Sequence, residues 1–166
     1  INEIIKKAEK KISLHIEDII LILDSAKLFT IDISLNKNLN QNTKIIDVYS
    51  SIILELNQLI SSHYSSYNLL HIIVDKCTID NLHSFTEIPK ERIISNNFKI
   101  DFKLIFFPKN LINNIKNKFI KYNINLINIY CTSYIKSQTY VKKINKSKVS
   151  FLEIGCERTT FIFYEK

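Results

Sequence analysis

The most constraining feature of the sequence is the run from Phe98 to Phe107, FKIDFKLIFF, in which Phe98, Ile100, Phe102, Leu104 and Phe106 alternate with Lys99, Asp101 and Lys103. Successive side chains of a strand point to opposite faces, so this order predicts a strand with one apolar face and one wet face. Leu28 to Leu35 repeats the pattern, with Phe29, Ile31 and Ile33 set against Thr30, Asp32 and Ser34. Ile16 to Asp24 (IEDIILILD) is a strongly apolar run of strand length, and Asp24 to Lys27 is a plausible connection between the two. The expectation is a hairpin of these two strands.

Helical spacing marks other segments. Ile4, Ile5, Ala8 and Ile12 predict a helix over Asn2 to about Ser13, with lysines on its other face. After a polar loop at Asn36 to Asn42, Thr43 is placed to cap a helix carrying Ile46, Tyr49, Ile53, Leu56 and Ile60. A strand at Leu69 to Val74 and a polar stretch from Asp75 to Asn97, holding Pro89, follow. Beyond Pro108, Leu111, Ile115, Phe119 and Tyr122 predict one helix face. A short strand at Ile124 to Tyr130, a helix at Thr132 to Val141 and a basic linker at Asn145 to Ser150 come next. Two apolar runs, Val149 to Ile154 and Thr159 to Tyr164, flank Gly155-Cys156-Glu157-Arg158 and predict a β-hairpin. The order is that of a mixed α/β chain with a seam near Pro108.

Composition narrows the function classes. The 166 residues include 33 Ile, 18 Asn and 21 Lys but a single Gly, so a GxGxxG fingerprint and a GxxxxGK[ST] loop are both excluded. There is no Met, not even at Ile1, and the expectation is a segment of a longer or processed product. Apolar residues at 46% and charged residues at 23% are ordinary for a folded domain. No apolar stretch reaches the roughly 18 to 20 residues that span a bilayer. Cys77, Cys131 and Cys156 form no CxxC, the histidines form no HExxH, and no metal site is implied. No nucleophile–base pair or carboxylate dyad is assembled, so no catalytic residue is assigned. The net charge of +7 comes from lysine, with Arg only at positions 92 and 158, and is expected to be a solvated surface with no nucleic-acid partner. A basic nucleic-acid-binding domain stays open as an alternative, carried by the cluster Lys142, Lys143, Lys146 and Lys148.

The terminal hairpin carries the most informative motif. Phe151-Leu152-Glu153-Ile154-Gly155-Cys156-Glu157-Arg158-Thr159-Thr160-Phe161-Ile162-Phe163 resembles the second phosphate motif of the actin/Hsp70-like ATPase superfamily: apolar strand, acidic residue, glycine turn, Thr pair, apolar strand. The elements before it come in the order of the bacterial FtsA cell-division family. These are Ala8-Glu9-Lys10-Lys11 leading into a strand, a Ser25 to Leu28 segment, the Ile46 to Ile60 helix, the His-containing strand Leu69-Leu70-His71-Ile72-Ile73, and the return through Asn110-Leu111-Ile112 and Lys121-Tyr122-Asn123-Ile124.

That resemblance implies an actin-like ATPase core with an inserted SHS2-like subdomain built of strands and one long helix. Residues 1–15 would end a helix of subdomain 1A, residues 16–103 would be the inserted subdomain 1C, and residues 104–166 would return to 1A. It also implies a nucleotide-linked, polymerising scaffold, at most a weak ATPase, that ties the FtsZ ring to the membrane and recruits later division proteins. Such a protein sits in the cytoplasm, peripheral to the inner face of the cell membrane at the division site, and reaches the membrane only through a C-terminal helix. ATP with Mg²⁺ would be held at Glu153, Gly155, Arg158, Thr159 and Thr160. Here Glu153 stands for the family's Asp, and Cys156-Glu157-Arg158 stands for its further glycines. The PilM-like pilus-assembly proteins share core and insert in outline and are the alternative family.

Overall fold

The computed structural model describes residues 2–38, 45–80, 83–85, 97–144 and 146–165. The elements run α1 (Asn2–Ile12), β1 (Asp18–Leu23), β2 (Phe29–Asn38), α2 (Ile45–His63), β3 (Tyr67–Ile79), β4 (His83–Phe85), β5 (Asn97–Pro108), α3 (Lys109–Ile120), β6 (Asn125–Cys131), α4 (Thr132–Val141), β7 (Lys148–Ile154) and β8 (Thr159–Glu165). The chain is mixed α/β, as its patterning predicts, with an antiparallel sheet in the order β2-β5-β3-β4, a parallel pair β1-β6 and the hairpin β7-β8.

Strand β5 is the axis of the fold. Its burial alternates from Phe98 to Phe102 and becomes continuous from Leu104 to Phe107. Phe98, Ile100, Phe102, Leu104 and Phe106 enter a first core with Val48, Ile52 and Leu56 of α2. Ile105 and Phe107 point the other way, into a second core with Ile112 and Phe119 of α3 and Leu126 and Ile129 of β6. The switch is written in the sequence: polar Lys99, Asp101 and Lys103 keep one face wet, and apolar Ile105 and Phe107 close it. Strand β3 runs beside β5 and also serves both cores, giving Leu69 and Val74 to the first and Leu70 and Ile73 to the second.

The expected hairpin of β1 with β2 does not form. β1 pairs in parallel with β6, from Asp18↔Asn125 to Leu23↔Cys131, while β2 pairs antiparallel with β5. The side chains give the reason. Ile19, Leu21 and Leu23 of β1 pack into the second core, and its opposite face, though exposed, is also apolar at Ile20 and Ile22, the composition of a parallel strand. β2 is apolar on one face only and lies under α2. The chain passes from one core to the other within a tight turn closed by Leu28 N–H on the Ser25 carbonyl (3.1 Å), so Leu28 sits in the second core and Phe29 against the first.

Other boundaries shift for similar reasons. β3 extends past Val74 because Cys77 and Ile79 continue its inward row, so residues 75–79 of the expected polar stretch are strand. Residues 36–38 of the expected loop belong to β2. On α2 the deepest positions are Val48, Ile52 and Leu56, with Tyr49, Ile53 and Ile60 on the flank. On α3 the deepest is Ile112, and Tyr122 lies beyond the helix end, exposed. On α1 only Ile5 packs against a core, and Ile4 and Ile12 are exposed. The Thr43 cap, the Ile46 side chain, loop positions 39–42, Pro89 and Arg92 lie outside the described residues. Among the described residues no helix is long and apolar enough to cross a membrane.

Phe102 is 1% exposed beneath α2. Phe102→Ala is expected to lower unfolding stability by about 3–5 kcal/mol, measured by urea titration. A cost below about 1 kcal/mol would contradict a filled first core.

Candidate functional site

The carboxyl ends of β1 and β6 lie side by side because the two strands are parallel, and open parallel sheets present ligand crevices at that edge. Asp24 follows the end of β1, while Thr132 and Ser133 open α4 directly after β6. The β7-β8 turn comes to the same place, and an open cleft of about 210 Å³ separates Ser25 and Ala26 from Cys156 and Glu157, with Asp24 and Arg158 on its wall.

Hairpin and helix meet through polar contacts. β7 and β8 are registered from Lys148↔Glu165 to Ile154↔Thr159, which turns Glu153 and Thr160 inward and leaves Thr159 exposed. Ser133 Oγ donates to Glu153 Oε2 (2.5 Å), and Lys136 Nζ donates to Glu153 Oε1 (2.7 Å). Lower on the same face, Ser137 Oγ meets the Tyr164 hydroxyl (2.8 Å) and Gln138 Nε2 donates to it (3.2 Å). The hydrogen bonds from Lys136 and then Ser133 hold the Glu153 carboxyl below its ordinary range, so it is ionised at neutral pH. Ser133 is only 1% exposed, so its hydroxyl is a tether of α4 to β7 with no open path to a substrate.

Arg158 links the turn to β1. Its Nε lies 2.7 Å from Asp24 Oδ1, an ion pair off line for a hydrogen bond, and its Nη2 approaches Ser133 Oγ (3.5 Å) and Cys131 Sγ (3.8 Å). Gly155 closes the turn by donating its N–H to the Arg158 carbonyl (2.9 Å). Its backbone is not left-handed; the need for glycine is space, since a Cβ there would stand 3.0 Å from that carbonyl oxygen.

The structure therefore gathers Glu153, Gly155 and Arg158 around one turn, with Thr160 inward beside Glu153 and Thr159 facing solvent. It also brings in Asp24, Ser133 and Lys136, which sequence reasoning did not single out. Ser133 and Ser137, four apart on α4, were the available signal of a polar helix face. The ATP–Mg²⁺ arrangement implied by the family resemblance does not fit these contacts as they stand. Both Glu153 oxygens are taken by Lys136 and Ser133, the Gly155 N–H is taken within the turn, and Asp24 already neutralises Arg158. Among the described residues no group of three or more His, Cys, Asp or Glu side chains gathers as a metal site.

A second residue positions this edge from below. The bulge at Leu70 lets Leu69 face the first core while His71 faces the second. There His71 Nε2 accepts the Cys131 N–H (2.9 Å) at the start of α4, between the rings of Tyr130 and Tyr134. The histidine in β3 was visible in the sequence, but its partner, sixty residues on, was not. Lys142, Lys143, Lys146 and Lys148, the cluster weighed for nucleic acid, are all exposed, and Lys148 pairs with Glu165 (2.7 Å).

Comparison with known protein families and with curated proteins finds no match.

Burial lowers the His71 pKa below its ordinary value, and only the neutral ring accepts the Cys131 N–H. With the folded pKa below the unfolded value of about 6.5, this contribution is complete above that value and is lost as pH falls through the folded pKa. Urea titrations from pH 7.5 to 5 are expected to show that loss, and His71→Gln, which keeps an acceptor, should flatten it. An unchanged slope in His71→Gln would assign the pH dependence elsewhere.

Proposed function

We propose that this chain acts as a scaffold of the FtsA kind, part of a division protein that ties the FtsZ ring to the membrane and recruits later division proteins. The observation that carries the reading is an insertion. The chain leaves a parallel pair at β1, builds an antiparallel sheet covered by one 19-residue helix, and returns through β5 and α3 to the partner strand β6. A unit displayed this way, entered by β2 and left by the adjacent β5, offers a surface for partners away from the β1-β6 edge. The order of elements and the terminal hairpin agree with the same reading.

The scaffold role rests on that insert and not on a ready ATP cradle. Polymerisation and placement at the inner membrane face belong to the proposal as properties of the whole division protein. The polar joints at the hairpin turn hold the hairpin against α4 and the end of β1, with Arg158 on the wall of the cleft.

The test is localisation of the gene product carrying this chain, fused to a fluorescent protein, in dividing cells. A mid-cell band that coincides with FtsZ is expected. A diffuse distribution would contradict the proposal, and foci at the cell poles would favour the pilus-assembly alternative.

A further inference from the structure

The two edges of the four-stranded sheet are built differently. β4 is three residues long, the usual protection of an edge against pairing with another chain. β2, at the other edge, is a ten-residue strand, registered with β5 from Phe29↔Phe106 to Asn38↔Asn97 without a bulge. Among the described residues no strand pairs with its outer side. It contains no proline, and its one lysine does not guard the edge, since Lys37 Nζ is drawn to Glu55 of α2 (2.5 Å). Asp32, on the exposed face, is paired with Lys103 of the neighbouring strand (2.6 Å), and Ser34 donates to Asp101. A long, regular strand edge with its charges held by neighbours is a template for strand addition.

We propose that β2 pairs antiparallel with β2 of a second copy of this chain, joining the two sheets into one of eight strands. Two antiparallel strands related by a two-fold axis keep each face of the sheet continuous, so residues i and j face each other only when i + j is even. Centring the axis on Ser34 pairs Ser34 with Ser34, Ile33 with Leu35 and Asp32 with Asn36. The apolar row beneath α2 continues across the seam, because Ile31 and Ile33, half-buried in one copy, gain cover from the other. No like charges stand opposite each other, and Lys37 lies across from apolar Ile31. The partner is a second copy rather than an unrelated peptide because this self-complementarity is a property of the strand itself. The seam is narrow beside a standard interface of about 800 Å² per partner, so the association is reversible and concentration-dependent. Each copy carries a net charge of +7, so added salt strengthens the pairing by screening their repulsion. The inference does not rest on the scaffold reading, and either stands if the other fails.

Sedimentation velocity over a concentration series of the full chain tests it. A monomer–dimer equilibrium that shifts toward dimer with salt is expected. Ser34→Lys, which sets two ammonium groups opposite each other at the axis, should raise the dissociation constant roughly five-fold. Mixing Ser34→Lys with Ser34→Glu should restore dimer. With Cys156→Ser removing the exposed native thiol, Ser34→Cys should oxidise to a covalent dimer, and Asn36→Cys, which faces Asp32, should not. Circular dichroism matching the unsubstituted chain establishes that each variant is folded. A monomer at every concentration and salt, or a dimer that forms equally well in Ser34→Lys, would overturn the proposal. So would protection of β2 amides only by a peptide of another protein.

Discussion

Burial of β5 on both faces is the constraint on which the rest of the structure depends. Leu104 and Phe106 lie under α2, while Ile105 and Phe107 lie under α3 and β6, so one strand is the floor of two cores. Each core alone is thin. The first has one helix over an antiparallel sheet, and the second has α3 over a parallel pair. Parallel pairs are seldom stable without cover, and this one borrows cover from β5 and β3. The strand therefore does what a linker between two independent units would not: distortion in one core reaches the other through a rigid element. Side chains from 104 to 107 have no free face to move into.

Placement of the candidate site follows from that sharing. β3 carries a bulge at Leu70, and the bulge aims His71 at the first turn of α4. α4 in turn holds the hairpin by a polar network, Ser133 and Lys136 on Glu153 and Ser137 on Tyr164, beside the stacked rings of Tyr140 and Phe151. A joint of this kind is specific in direction and loses strength when any one partner is removed, since the remaining polar atom is left without its bond. The Gly155 turn, braced by Arg158 on Asp24, thus sits at the end of a chain of contacts that begins in the sheet beneath α2.

Much of this was legible in the residues. The alternation of Phe98 to Phe106 identified β5, the spacing of α2 identified the helix that covers it, and the paired runs around Gly155 identified the hairpin. Pairing partners were less legible. IEDIILILD and LFTIDISL both read as strands a short connection apart, and only the apolar second face of β1, Ile20 and Ile22, separates a parallel strand from a hairpin arm. The extension of β3 through Asp75 was hidden because a bulge breaks the period-two pattern there. At the site, sequence spacing pointed to the turn itself. It was silent on Asp24, whose partner Arg158 lies more than one hundred residues on, and on Ser133 and Lys136, which meet Glu153 only once the hairpin folds against α4. Contacts of that range leave no local period to read.

The measurement that tests the shared strand most directly is native-state hydrogen exchange followed residue by residue. If β5 unites the two cores, the amides of Phe102, Leu104, Ile105 and Phe107 exchange with one free energy, shared by Ile129 of β6. That free energy equals the stability found by denaturant titration. Exchange of the β2-β5-β3 sheet at a free energy well below that of β6 would show two independently opening units and contradict the account.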